Sequence, residues 1–410
     1  MRIVPDRTLG AWRRWARSLV ILISICAAAV GCRPRKRSAA PPGTAAQLRR
    51  VTTRAVLEDK IRGGWAGQMI GVAYGAPTEF RHMGVINEAE IRWHPDQVAA
   101  ALDQDDLYVE MTFASVMDAT GLQATVEQYG TALAESRYAL WHANAGARRL
   151  LHLGVSAPGS SDPRHNIHAN DIDFQIESDF IGLMTPGLPG EAVRYCERVG
   201  RVMAYGDGLY GGMFISAMYA AAFFADDVVK IVEAGVAAIP NGSGYARAIR
   251  DALASFRRHP TSWREGWRAI NAAWDGRDGC PEGALTRFNI DARLNGAYVA
   301  LGLLYGGGDF ARTLELTTRM GQDSDCNPAS AAGVLGVVLG YRGIPTRFTS
   351  GMPKLAGRRF KHTKYSLNSI VASTLARALR VVREAGGRVT DEAVRVPLQA
   401  PRPVALEQWS

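Results

Sequence analysis

The chain has 410 residues, 47% hydrophobic and 21% charged, a globular balance that excludes a wholly disordered, collagen-like or multi-span membrane protein. Its net charge of +9 sits at one end: residues 1–54 hold 12 Lys and Arg against Asp6 alone, leaving 36 basic and 38 acidic side chains in the other 356 residues. The body of the chain therefore has no overall charge bias towards nucleic acid or an anionic membrane.

The first segment reads as an export signal. Five Arg precede a charge-free apolar run from Ser18 to Gly31, which is short for a membrane span and ends in small residues. Ala29-Val30-Gly31-Cys32 has the form of a bacterial lipoprotein box, so residues 1–31 are the expected signal peptide and Cys32 the expected lipidated residue. That lipid is the only membrane attachment expected, and it places the protein at the cell envelope. Residues 32–54 read as a polar tether rich in Pro, Gly and Ala. The folded domain is expected over 55–410. Its cysteines, Cys196, Cys280 and Cys326, lack CxxC spacing and define neither a zinc site nor a disulfide framework.

The body is expected to be all-α, with roughly a dozen helices judged from apolar residues at helical spacing. Gly67, Gly71 and Gly75 recur every four residues, so one face of the first helix has no side chains. Glycine costs about 1 kcal/mol there relative to alanine. The pattern therefore points to close packing against another backbone or a ligand. Glu79 follows Pro77 and Thr78 where the chain leaves that helix.

Asp103, Gln104, Asp105 and Asp106 then open a helical run over 107–117, with Glu110 one turn beyond. Between 170 and 179 the chain is dense in acid, through Asp171, Asp173, Glu177 and Asp179. Carboxylates so close together repel, so this segment is expected to bind a cation or substrate hydroxyls, with Asp179 a candidate contact. His142, Asn144, His165, Asn166 and His168 read, one by one, as surface or packing residues.

Gly206, Gly208 and Gly211 match GxGxxG, but helical spacing precedes them and no second strand follows, so the dinucleotide fingerprint fails. A flexible loop near the active site is expected instead, with Asp207 or Tyr210 touching substrate. Further helices are expected behind an Asp226/Asp227 cap and over 243–256, 262–274, 310–320 and 364–384. Asp323 and Asp325 form a second acidic pair, directly before a helix expected to be capped by Asn327 and lined by Gly333, Gly336 and Gly340. Carboxylates two residues apart in a loop can converge on one cation, and hard oxygen ligands at helix starts suit Mg²⁺ or Mn²⁺. Short extended pieces are expected in the last twenty residues.

Taken in order, the glycine-faced helix with Glu79, the Gln104-Asp105-Asp106 motif and the Gly321-to-Cys326 motif with its Ala/Gly helix resemble the ADP-ribosylglycohydrolase family, which includes the dinitrogenase-reductase-activating glycohydrolases. The likeness runs from about Val56 to Pro345. It implies an all-α fold, a dinuclear Mg²⁺ centre (Mn²⁺ being the other candidate) and hydrolysis of the glycosidic bond at the distal ribose of an ADP-ribose adduct. By position it implies a catalytic or substrate-orienting role for Glu79, and metal ligation by Asp105 and Asp106 and by Asp323 and Asp325. Gln104 stands where the family usually has Thr, and its carbonyl oxygen can still ligate. Cys326 also replaces a Thr at a ligand position, and its soft sulfur suits Mg²⁺ poorly. Val72 replaces an early Asp. The expected partner is a small-molecule or ADP-ribosylated substrate. A fold relative that only binds a nucleotide or sugar is the second reading. A phosphoester hydrolase is the third, with no phosphate cradle or Arg cluster near the acid pairs to support it.

Overall fold

The computed structural model describes residues 49–277 and 288–408. The expected signal peptide, most of the tether, Cys32 and Cys280 lie outside the described residues. Helix Arg54–Gly75 starts at Thr53, whose side-chain oxygen accepts from the Val56 amide at 3.2 Å. Every residue from Gly63 to Gly75 is buried, so this helix runs through the interior rather than across a surface.

The reason is backbone contact. A Cβ placed on Gly63, Gly67, Gly71 or Gly75 would lie 2.2, 2.1, 2.3 or 1.9 Å from the carbonyl oxygens of Gly336, Ala332, Pro328 and Ser324 respectively. Each step of four along one helix is matched by a step of four back along the other. Helix Arg54–Gly75 and helix Cys326–Leu339 are therefore antiparallel and touch backbone to backbone along the glycine line. The C-terminal end of the first meets the N-terminal end of the second.

All three later glycines border this contact: Gly333 Cα and Gly340 C lie 2.9 and 2.8 Å from the Cβ positions of Gly67 and Gly63, and a Cβ on Gly336 would lie 2.1 Å from Gly63 O. Gly333 makes room for Tyr219, whose hydroxyl would be 1.7 Å from a Cβ, and Gly340 ends the helix at φ +70° beside Asp59. Three residues turn a helix by about 300°, enough to aim Gly333 at a different neighbour. The expected cap also differs. Asp325 is the N-cap residue, and Asn327 sits inside the helix with its amide donating to Asn295 Oδ1 at 2.8 Å.

Among the described residues there are sixteen α-helices. Local caps set several of them: Asp227 accepts from the Val229 amide, Ser243 from Ala246, Ser262 from Glu265 and Asp309 from Arg312. The acid-rich segment forms two short buried helices, Asp173–Ile176 and Asp179–Leu183. Ahead of them, Asp171 pairs antiparallel with Asp291. The GxGxxG stretch is not a flexible loop. It opens helix Asp207–Ala222, and helix Pro189–Gly200 lies before it. Its glycines serve packing: a Cβ on Gly208 would lie 2.3 Å from Ala169 O.

A three-stranded antiparallel sheet closes the chain, in the order Arg49–Thr52, Val394–Pro397, Arg388–Val389. Thr52 pairs with Val394 and Arg49 with Pro397, so Arg49–Thr52, within the stretch that reads as tether, is a paired strand. No described helix is long and apolar enough to cross a membrane.

The glycine contact gives a test with a definite sign. Gly71→Ala gains about 1 kcal/mol of helix propensity, but its methyl would meet Pro328 O, and overpacking typically costs roughly 1–3 kcal/mol. Urea unfolding should show net destabilisation for Gly71→Ala. It should show little change for Gly357→Ala, where a Cβ meets nothing within 4 Å.

Candidate active site

The antiparallel helix pair delivers two loops to one place. Thr78 Oγ1 lies 2.9 Å from Ser324 Oγ. The Phe80 amide donates to Gln322 O at 3.1 Å, and the Gln322 amide to His82 O at 3.2 Å. Phe80 and Gln322 hold φ of +49° and +55°, a conformation that non-glycine residues adopt only when their surroundings enforce it. Glu79 and Asp323 are the residues flanked by these ties.

A third element completes the cluster. Helix Asp105–Thr120 carries Asp105 and Asp106 in its first turn. The Cys326 thiol donates to Asp106 Oδ1 at 3.0 Å and lies 3.7 Å from Asp325 Oδ1, while the Cys326 amide donates to Asp323 Oδ1 at 3.3 Å. Asp323, Asp325 and Cys326 offer ligand atoms within 4.8 Å of one another. The two acid pairs, more than 200 positions apart in the chain, therefore meet around Cys326. Gln104 precedes the helix as its N-cap residue without a side-chain capping bond.

Burial and mutual repulsion disfavour charge on every one of these carboxyls. Asp106 is raised well above the carboxylate range by burial, then by Asp105 and Asp325. Asp325 is raised by burial and by Asp323, and Asp323 is pushed up to about 7, mainly by burial. Asp105 rises through burial and the Asp173 charge. Glu79 is pushed up to about 8 by desolvation, then by Asp325 and Asp105. Its side chain keeps an exposed face, so water screens part of that effect. Burial and the surrounding carboxylates also raise Cys326, which keeps it a protonated donor rather than a thiolate ligand.

A divalent cation fits this arrangement. Asp106 is 1% exposed, and among the described residues its Oδ2 has no hydrogen-bond partner. An oxygen-dominated donor set of this charge matches Mg²⁺ or Mn²⁺.

Behind the pairs lies a second tier of acids. Glu110 Oε2 accepts from the Phe180 amide at 2.8 Å, and Asp179 Oδ2 from the Tyr219 hydroxyl at 2.6 Å. Asp173 accepts from the Ala143 and Asn144 amides at 3.2 and 3.0 Å, capping helix His142–His152 from thirty positions away. Glu177 accepts from the Asn144 side chain. The acid-rich segment is thus buried rather than a solvated face.

Asp179 is wholly buried behind the acid pairs, not at a surface a substrate reaches. Asp207 and Tyr210 are engaged elsewhere. Asp207 accepts from the Tyr245 amide at 2.8 Å, and the Tyr210 hydroxyl accepts from the Glu407 amide at 2.7 Å. The sequence reading gave no role to the aromatic row along one side of the site. Phe80 stands 4.8 Å from Phe288, Phe288 stacks on His142 at 5.6 Å, and His142 faces His168 at 5.6 Å. No spacing signal joins these residues; only the fold does.

The family profile described as ADP-ribosylglycohydrolase matches residues 53–385. The chain belongs to the ADP-ribosylglycohydrolase family, a family of glycohydrolases that usually bind divalent metals. No curated protein matches the chain significantly. A solved structure titled "ADP-ribosylglycohydrolase-related protein complex" is similar at 17% identity, over 80% of this chain and 99% of that one, with a TM-score of 0.49.

The raised carboxyls set a pH dependence. Asp173 is pushed up to about 6, Asp323 to about 7, and Glu79 and Asp179 to about 8, all chiefly by burial. Between the ordinary carboxyl range and these values the folded chain binds more protons than the unfolded chain, so stability falls as pH rises. In chelator, Tm should drop from about pH 5 to about pH 8. Mg²⁺ or Mn²⁺ at the upper end should restore it by binding the native state. An Asp323→Ala/Asp325→Ala variant should show a flatter pH profile and no metal response.

Proposed function

We propose that the protein is a divalent-metal-dependent hydrolase of an ADP-ribosyl or related N- or O-glycosidic bond, working at the cell envelope. The observation that carries the reading is the meeting of Glu79, Asp105, Asp106, Asp323 and Asp325 from three separate segments around Cys326. Asp105 and Asp106 with Asp323 and Asp325 would hold Mg²⁺ or Mn²⁺, and the chemistry such an ion would supply there is charge neutralisation and polarisation of a ribosyl hydroxyl or the leaving oxygen.

The protein's own groups do the rest. Glu79 keeps both an exposed face and a raised affinity for its proton, the combination a general acid at the scissile bond requires. After bond cleavage the same carboxylate is placed to orient and deprotonate an attacking water. The surrounding acids favour the positive charge that develops on the sugar in an oxocarbenium-like transition state. Phe80 and Phe288 offer an apolar wall for the leaving group or base.

Glu79→Gln preserves the shape and most of the hydrogen bonding of the side chain but removes the proton. Turnover on an ADP-ribosyl or nucleoside substrate should fall roughly 10²–10⁴-fold, with metal and ligand affinity nearly unchanged. Near-wild-type turnover would remove Glu79 from the mechanism. Ligand binding without turnover in the wild type would favour the binding-only reading.

The proposed location has its own check. Cys32→Ser should leave the protein unprocessed or released from the membrane fraction. Unchanged mature size and membrane association in that variant would refute the lipid anchor.

A further inference from the structure

Beside the acid pairs, two imidazoles and one carboxylate meet at a point to which no role has been assigned. Asp171 Oδ2 lies 2.8 Å from His168 Nδ1 and 3.5 Å from His142 Nδ1. Ligand atoms from all three residues fall within 4.8 Å of one another. The site is half-closed: the side chains of His142, His168 and Asp171 are 15%, 16% and 2% exposed.

The frame around these groups is built rather than incidental. Asn166, 1% exposed, donates to Ala143 O at 3.0 Å and Ser160 O at 3.2 Å, and its Oδ1 accepts from the His168 amide at 3.3 Å. One buried amide thus ties the start of the His142 helix to the loop that carries His168. The Asp171 amide donates to His168 O at 2.8 Å, and Ile172 N–H to Ile290 O at 3.0 Å, which anchors the loop against the neighbouring segment. His142 holds φ of +36°, with its ring stacked on Phe288.

Neighbouring ligands around a metal held at about 2.0–2.2 Å are separated by roughly 3 Å, and Asp171 Oδ2 stands 2.8 and 3.5 Å from the two ring nitrogens. Two imidazoles and one carboxylate are also a different donor class from the all-oxygen acid pairs. Such a set selects zinc or a similar first-row metal and leaves coordination positions open. Asp105 and Asp173 lie close enough to feel the two histidines, which adds negative charge favourable to a divalent cation.

We propose that His142, His168 and Asp171 form a second metal site, separate from the Asp105/Asp106 and Asp323/Asp325 pairs, that takes a divalent transition metal of the Zn²⁺ type. Both histidines ligate as neutral imidazoles through Nδ1, and Asp171 through Oδ2. Binding therefore releases any proton the imidazoles carry.

The test uses the untagged full chain, stripped with chelator and held in excess Mg²⁺ so that the acid pairs are occupied. Titration with Co²⁺ should give visible absorption bands of a nitrogen-ligated ion, saturating at a single equivalent and abolished by Zn²⁺. His142→Ala and His168→Ala should each weaken Co²⁺ more than about 100-fold, the upper end of what losing even a supporting contact costs. Asp323→Ala/Asp325→Ala should keep the bands. If a histidine variant loses helicity, protection of the wild type decides: Zn²⁺ should shield two histidines from diethyl pyrocarbonate. Wild type without such bands, bands retained in both histidine variants, or unshielded histidines would each overturn the site and leave a metal-free His–Asp–His contact. These readouts need no substrate, so failure of the glycohydrolase reading leaves them intact.

Discussion

The contact between helix Arg54–Gly75 and helix Cys326–Leu339 is the constraint from which the site follows. Four glycines, Gly63, Gly67, Gly71 and Gly75, clear one line of the first helix of side chains, so carbonyl oxygens of the partner helix and of Ser324 come within about 2 Å of where Cβ atoms would be. Such glycines cost conformational entropy in a helix interior. The compensation is dense backbone contact along the whole seam. Because the seam ends at Gly75 and Ser324, the loops that follow and precede it share a few ångströms of space. Glu79 and the Asp323/Asp325 pair are therefore neighbours by construction.

Electrostatics makes that neighbourhood expensive without a cation. Asp106, Glu110, Asp173, Glu177, Asp179, Asp323 and Asp325 are all buried. Isolated charge in such surroundings is strongly unfavourable. The fold relieves part of the cost locally. Backbone amides of Ala143, Asn144 and Phe180, the Tyr219 hydroxyl and the Cys326 thiol each point at a carboxyl oxygen. The oxygens left over, among them Asp106 Oδ2, Glu110 Oε1 and Glu177 Oε2, make the described interior a receptor for positive charge or protons. The Cys326 thiol matters here because it stays protonated and donates, so it eases the repulsion between Asp106 and Asp325 without adding charge.

The outer side of the site has another chemistry. Phe80, Phe288, His142 and His168 set aromatic surface and imidazole against the carboxylates. One wall is aromatic and the other is hard oxygen, an arrangement that suits a ligand carrying both a ring and a polyol. The positive φ values at Phe80, His142 and Gln322 fall in the same neighbourhood, so strained backbone is concentrated where side chains must be aimed.

What was legible in the chain was what depends on near neighbours. Asp227, Ser243 and Ser262 mark helix starts because a capping oxygen reaches an amide only two or three residues on. The glycine repeat announced a contact because its period is that of the helix, and the order of the motifs carried the family and the acid pairs. The tertiary structure alone decided which groups face one another. Asp173 caps a helix that starts at His142, Asn327 bonds Asn295 instead of capping its own helix, and Gly333 makes room for the Tyr219 hydroxyl as well as bordering the seam. The acid-rich segment went inside, and the GxGxxG stretch became a packed helix start. The physical reason is range: capping and periodicity act within one or two turns, whereas burial, repulsion and the meeting of His142, His168 and Asp171 depend on distances set only when segments far apart in the chain are packed together.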